Sequence, residues 1–374
     1  MSKDIKIAQQ YFILCGVSMS RRIGVAVIGL GTIGQVHVEA LKDLEKSTNL
    51  VKLVGIHSLS RRKVREFASR YGCKGYESYD DVVRDPEVDV VVIATPHYLH
   101  AWQAFYAMEH GKHVIVEKPM ATTVTAAREM ISKARRKGIK LGVIFQGRYA
   151  DGVVELKRYV DSNALGKILL VTGEMMWYRD ETSYYLKDEL ARSWRGLWAT
   201  EGGGALINQA IHTIDLMLWF GGDVEEVVGY IDNLTHPSVN VEDIGIGVMK
   251  YRSGGYGVLI ANLFTKPSTY QYRRIKIFGS KGQAELWDNE LVFLKTEDDI
   301  SIERKPGYSS ETLKVPGGLH RKLFEDFLKA LSEDRDFPIT GEEGLKSLEI
   351  VRAIYYSSTR KTHVKLPLLA DGVF

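Results

Sequence analysis

The stretch Gly24-Val-Ala-Val-Ile-Gly29-Leu-Gly31-Thr-Ile-Gly34 constrains the fold more than any other part of the chain. Val25, Val27 and Ile28 form a β-branched apolar run, the composition of a strand buried on both faces. Three glycines follow at G-x-G-x-x-G spacing, and Gln35 to Leu44 reads as a helix. In that context Gly29 makes the tight turn, Gly31 lets the backbone approach a pyrophosphate, and Gly34 lets helix and strand pack closely. The helix start at Thr32 and Ile33 then offers unpaired N–H groups and a partial positive charge to phosphate. The competing reading is a glycine-rich turn with no ligand. The β-α-β continuation of the chain speaks against it.

Leu50 to Ile56 reads as the second strand, ending at His57 and Ser58. An acid near this point would hold the ribose 2′-hydroxyl of NAD. Here Ser58 stands without a carboxylate, and Arg61, Arg62 and Lys63 follow. That combination favours a 2′-phosphate and hence NADP(H), with NAD(H) possible, because guanidinium binds phosphate where carboxylate would repel it. The same basic residues also read as the charged opening of the next helix, Arg61 to Tyr71. Asp89 to Ala94 is an apolar central strand, and Thr95 and Pro96 end it at the edge where open α/β sheets bind ligands. His97 and His100 follow, His100 near the expected cofactor. After the helix Ala101 to His110, Lys112 to Val116 is the next strand, with Glu117-Lys118-Pro119 at its end. A lysine in such a crevice is desolvated, which lowers its pKa and suits it to proton transfer, although a surface lysine beside a turn has the same local sequence. Pro119 restricts the Lys118 backbone to extended conformations. Thr123 to Lys137 reads as a helix and Ile139 to Phe145 as the last strand of this unit.

Beyond Arg148 and Tyr149 the period changes. Lys167 to Tyr178, Val224 to Asp232, Asp243 to Phe264, Tyr272 to Phe278, Ala284 to Trp287 and Leu291 to Leu294 read as strands of a mainly antiparallel sheet, and Arg321 to Leu331 and Glu342 to Ser358 as closing helices. The fold class is therefore α/β, a doubly wound parallel sheet followed by a second α/β domain on a large open sheet. An arm at 1–22, a nucleotide domain at 23–147 and a substrate and oligomerisation domain at 148–374 are expected. Exposed aromatics on the open sheet suit a homodimer or homotetramer. Between its first two strands, Ala205 to Phe220 is an apolar helix carrying Asn208, His212, Asp215 and Trp219 on one face. Burying an amide, an imidazole and a carboxylate is costly unless they are paired, so the stripe is expected to line a polar cavity.

At 374 residues the chain exceeds one typical core, and its net charge of +3 gives no case for nucleic acid or an acidic membrane surface. Cys15 and Cys73 show neither metal nor redox spacing, and no metal site is expected. No apolar run reaches the length of a membrane span. Tyr11 to Val17 resembles a short signal core, and Ser20-Arg21-Arg22 a twin-arginine signal, but the first strand follows Arg22 at once. A cytoplasmic protein with an N-terminal arm is expected, and Met19 is a possible alternative start.

The glycine motif, Glu117-Lys118-Pro119 and Gly202-Gly-Gly-Ala-Leu-Ile-Asn208-Gln-Ala-Ile-His212-Thr-Ile-Asp215 together resemble the glucose–fructose oxidoreductase / inositol dehydrogenase (Gfo/Idh/MocA) family, over Ile23 to about Leu366. The resemblance implies a Rossmann domain, an α/β domain on an open sheet, and NAD(P)-dependent oxidation or reduction of sugars, cyclitols and related polyols. It makes Lys118 catalytic and His212 its acid/base partner or a substrate ligand. Many members carry aspartate where this chain has Asn208, which can bond a substrate hydroxyl but cannot relay a proton; Asp215 is then the remaining carboxylate. Arg148, Tyr149, Trp177, Arg179, Trp194 and Arg195 are expected to wall the sugar, although each also reads as core or surface. Two other classes fit the same motifs: a redox-assisted glycosidase and a non-enzymatic NAD(P) sensor.

Overall fold

The computed structural model describes residues 21–305, 318–368 and 371. Most of the arm, with Cys15 and Met19, lies outside them. A six-stranded parallel sheet forms the first half, in the order β3-β2-β1-β4-β5-β6. Its strands are β1 (Ile23–Ile28), β2 (Val51–His57), β3 (Lys74–Gly75), β4 (Val90–Ile93), β5 (His113–Glu117) and β6 (Leu141–Ile144). The β4 residues are fully buried, as a central parallel strand demands. The intervening helices are α1 (Thr32–Ser47), α2 (Arg61–Tyr71), α3 (Tyr79–Arg84), α4 (His97–Glu109) and α5 (Val124–Lys137). Their boundaries follow local chemistry. Ser60 and Thr123 cap α2 and α5 through their side chains, and Gly72 and Gly138 close them in the left-handed conformation.

A short turn at Gln146–Tyr149 leads into α6 (Asp151–Asp161), a helix absent from the sequence reading, which buries Val153 and Leu156. The second sheet has nine strands in the order β14-β13-β12-β11-β7-β10-β9-β8-β15. They are β7 (Ile168–Met176), β8 (Val224–Asp232), β9 (Ile244–Tyr251), β10 (Tyr256–Asn262), β11 (Tyr272–Gly279), β12 (Gly282–Trp287), β13 (Glu290–Thr296), β14 (Ser301–Glu303) and β15 (Val364–Lys365). All neighbours pair antiparallel except β7 and β10. Between β7 and β8 come α7 (Glu189–Trp194) and α8 (Ile211–Gly221), the latter almost wholly buried.

The chain closes with α9 (Gly318–Ser332) and α10 (Gly341–Arg360). These helices return to the first sheet: the Val143 N–H donates to the Ile339 carbonyl at 3.0 Å, and Phe327 and Phe337 pack where a side chain on Gly142 would stand. One continuous buried core runs through both halves. The far face of the second sheet stays open, with Tyr230 of β8 and Ile246 and Val248 of β9 exposed. Among the described residues no helix is long and apolar enough to cross a membrane.

Candidate active site

The carboxyl edge of the first sheet is built for a dinucleotide diphosphate. Gly31 caps α1 with extended backbone and no side-chain hydrogen bond, which leaves the helix's first N–H groups, those of Thr32 and Ile33 included, to an outside acceptor. A methyl group on Gly31 would meet no atom within 4 Å, so the backbone borders open space. On Gly34 it would lie 1.9 Å from the Gly29 carbonyl oxygen, so that glycine serves the packing of helix on turn. Gly29 sits at φ +97°, outside the range comfortable for side chains. These residues fit the phosphates of NAD(P). Ser58 follows β2 half-buried, while Arg61 and Arg62 stand exposed at the start of α2, Arg62 in a loose 3.8 Å pair with Glu66.

Past β4, Thr95 donates its hydroxyl to Gln103 Oε1 at 2.6 Å. His100 has both ring nitrogens 2.8 Å from backbone carbonyls, those of Pro119 and Thr95. The neutral imidazole carries one N–H, so it donates to one of these two carbonyls, each at a strand end beside the expected cofactor site. His97 reaches the other half of the molecule, with Nδ1 2.8 Å from the Glu201 carbonyl.

Lys118 follows β5 through a cis bond to Pro119. Its Nζ donates to the Asn208 carbonyl at 2.6 Å, across 90 residues of sequence. Burial lowers its pKa, and the Arg195 and Arg179 guanidiniums add to the effect against Glu117 and Glu201. Asn208 lies in a π-helical turn, Ala205–Ala210, which runs into α8 and so into His212. Burial, then the nearby Lys118 ammonium, holds the His212 imidazole well below the usual histidine range. Lys118, its pKa lowered, is thus bonded to the turn that leads into the helix carrying His212, whose imidazole is held neutral by burial.

The π turn has no side-chain cap of its own. Glu242 supplies one from outside, accepting from Gly204 N at 2.6 Å and Leu206 N at 2.9 Å. The glycines ahead of the turn serve this packing: a side chain on Gly203 would strike the Tyr355 hydroxyl, and one on Gly204 the Glu242 carbonyl. Glu201, which the sequence reading passed over, is wholly buried, accepts from the Asn208 amide and from Gly196 N, and is raised to about 7 by burial. Its position directly before three glycines was the available signal. A carboxylate therefore stands beside the site even though the helix carries Asn208.

The polar stripe divides. Asp215 takes a bidentate ion pair from Arg148, with Nε to Oδ2 at 2.9 Å and Nη2 to Oδ1 at 2.6 Å, and Glu343 adds a contact at 3.1 Å. Trp219 lies under the Arg148 guanidinium at 5.3 Å, and the Tyr149 hydroxyl donates to Asp326 at 2.8 Å. Arg148, Tyr149, Asp215 and Trp219 thus lock α8 to the turn after β6 and to the closing helices. Arg148, Tyr149 and Asp215, expected from sequence to meet substrate, here bond one another or residues of α9 and α10. Trp177, Arg179, Trp194 and Arg195 group around Tyr184. That residue also escaped the sequence reading; its hydroxyl accepts from Asn208 Nδ2 at 3.0 Å and Gln209 Nε2 at 3.2 Å.

Behind Lys118, Glu117 pairs with His37 of α1 at 2.8 Å, and His320 of α9 completes a buried trio whose donor atoms lie within 4.8 Å of one another. No metal was expected from sequence. The three residues are distant along the chain, and their grouping could hold an ion; it also ties α1, the end of β5 and α9 together.

Family models match both halves. The oxidoreductase family with an NAD-binding Rossmann fold covers residues 23–145, and the GFO/IDH/MocA C-terminal domain covers residues 153–285. Inositol 2-dehydrogenase of Rubrobacter xylanophilus is 30% identical over 273 residues, 71% of this chain and 72% of that protein. The WlbA dehydrogenase of Bordetella pertussis, solved with NADH and UDP-GlcNAcA, is 28% identical with a TM-score of 0.80, covering 93% of this chain and 100% of that one. A levoglucosan dehydrogenase solved with NADH is 26% identical with a TM-score of 0.81, again over 93% of this chain and 100% of that one.

Proposed function

Because the chain belongs to the GFO/IDH/MocA oxidoreductase family with its NAD-binding Rossmann fold, we propose that it oxidises or reduces a hydroxyl carbon of a sugar or cyclitol with NAD(P), in the cytoplasm. One observation carries the reading. The Lys118 ammonium of the first sheet reaches across to the turn that leads into His212 of the other domain, which supports the two groups acting on one substrate. The inositol, levoglucosan and UDP-GlcNAcA names of the relatives agree with a small polyhydroxylated substrate.

Gly29, Gly31 and Gly34 with the start of α1 would hold the diphosphate, and Thr95, Pro96 and Glu117 would border the nicotinamide half. The bound dinucleotide supplies the hydride acceptor in the oxidising direction and the donor in the reverse. Lys118, its pKa lowered by burial and by two neighbouring guanidiniums, takes the hydroxyl proton as the carbinol becomes a carbonyl. Neutral His212 orients the same oxygen or carries the proton onward, and Asn208 binds a neighbouring hydroxyl. Glu201 fixes the Asn208 amide. Ser58 in place of an acid, with Arg61 and Arg62 exposed beside it, supports NADP(H) over NAD(H). The exposed row of Tyr230 paired with Ile246 supports a homo-oligomer through the open sheet.

The test is a panel of aldoses, anhydrosugars and inositols with NAD+ and NADP+ in parallel, read at the nicotinamide absorbance. Reduction matched by one equivalent of carbonyl product is expected, faster with NADP+. Binding of either dinucleotide without turnover of any substrate would favour a sensor. Cleavage of a glycoside without net cofactor reduction would favour the glycosidase.

A further inference from the structure

Among the described residues, two guanidinium groups near Lys118 form no salt bridge. Arg195, just after α7, holds its guanidinium carbon 4.1 Å from the Tyr184 ring centre and 4.9 Å from that of Trp194. Arg179 lies over the same Tyr184 ring at 5.3 Å and over Trp177 at 4.8 Å. Among the described residues neither arginine forms an ion pair, and the one hydrogen bond from either head group runs from Arg179 Nη1 to the Tyr178 carbonyl at 2.9 Å. Nε of Arg179 and Nη1 of Arg195 are buried with no acceptor.

The nearby acids are turned elsewhere. Asp180 accepts from Ser183 N, Glu181 from Ser238 N, and Glu201 from Asn208 and Gly196. Tyr184 meanwhile bonds Asn208, whose carbonyl holds Lys118, so both guanidiniums are one side chain removed from the reacting position. Three cationic side chains crowd one crevice, and buried guanidinium N–H groups without acceptors are costly. Stacking on aromatic rings holds each guanidinium plane in place while leaving its edge free for a planar oxyanion.

We propose that the substrate is an anionic sugar, a sugar acid in class, whose carboxylate binds Arg195 and Arg179 while a ring hydroxyl lies against Lys118 and His212. This rests on the oxidoreductase reading and narrows its substrate. A phosphorylated sugar would present the same oxyanion chemistry and is separated by experiment. The aromatic flank formed by Trp177, Trp194 and Tyr184 covers the C–H face of the sugar ring and gives a fluorescence signal.

The full-length protein loaded with reduced cofactor is titrated with hexuronates, aldonates, hexose 6-phosphates and the matching neutral hexoses, following tryptophan fluorescence. At least one hexuronate or aldonate is expected to bind more tightly than its neutral parent and its phosphorylated counterpart. Arg195→Met and Arg179→Met should each weaken that binding by about 10- to 100-fold, with Arg195→Lys recovering part of the loss. Acids binding no better than neutral sugars at millimolar concentration, or binding unchanged in both methionine variants, would overturn the proposal. Preference for the phosphates would overturn the sugar-acid assignment. Turnover separates the two claims. Neutral sugars oxidised in preference to their acids would defeat the anion site and leave the oxidoreductase standing. Arginine-dependent acid binding with no turnover on either nicotinamide would do the reverse.

Discussion

Gly31 and Gly34 are three residues apart in one motif, yet substituting each should fail in a different way. At Gly31 the backbone is extended, with φ −69°, and an added methyl meets nothing within 4 Å. Gly31→Ala should therefore fold, losing at most about 1 kcal/mol from a poorer helix cap. The same methyl would occupy the space through which a diphosphate approaches the first N–H groups of α1. Each charge-assisted hydrogen bond lost there is worth about 1.5–3 kcal/mol, so dinucleotide affinity should fall at least tenfold. Gly34→Ala puts carbon 1.9 Å from a backbone oxygen that cannot rotate away. Helix and turn must separate, at about 3 kcal/mol. Urea unfolding and fluorescence titration with NADH and NADPH, run on both variants, distinguish the outcomes. Normal cofactor affinity in Gly31→Ala, or wild-type stability in Gly34→Ala, would refute the account of this cradle.

Three further expectations follow from buried charge and exposed surface. Asp215→Asn leaves Arg148 with only the half-exposed Glu343 and should cost about 3 kcal/mol in urea unfolding, whereas the double variant Arg148→Met/Asp215→Leu should regain much of it; equal losses would contradict the pairing. Glu201, raised to about 7 from 4.5, keeps its proton in the folded protein where the unfolded chain has lost it, so the stability it contributes is full below pH 4.5 and is lost as pH rises through about 7. That step is worth about 3 kcal/mol, and Glu201→Gln should flatten it in a pH series of urea midpoints, leaving the share of Glu242, which is raised to the same value; an unchanged slope would contradict it. Tyr230→Glu with Ile246→Glu should convert an oligomer to monomer in sedimentation without loss of helix signal, and an unshifted oligomer would place the interface elsewhere.

Where local chemistry fixes an element, the sequence disclosed it. The α2 helix keeps its bounds at Arg61 and Tyr71 because Ser60 and Gly72 stop it at both ends. The glycine turn and the apolar β4 were legible for the same reason. The α6 helix was passed over although Val153, Leu156 and Val160 recur at helical spacing on the face it packs on the core. The stripe on Asn208, His212, Asp215 and Trp219 starts in a π-helical turn, wider than the roughly 3.6 residues per turn its reading assumed, and this shifts Asn208 alone, since the other three lie in regular helix. Asp215 then met Arg148, a partner 67 residues away that no local pattern reveals. Glu201, marked only by its place before three glycines, and Tyr184, with no mark at all, were passed over for a related reason. Their roles come from what the fold brings beside them, Asn208 and the two arginines, and not from their own spacing.

The central claim is that Lys118 moves the substrate proton. It is tested most directly by Lys118→Met assayed for turnover, with NAD(P)H affinity measured on the same preparation. The account predicts a fall in kcat of about 100- to 10,000-fold with cofactor binding preserved. Turnover close to that of the unaltered protein, with the cofactor equally well bound, would contradict it.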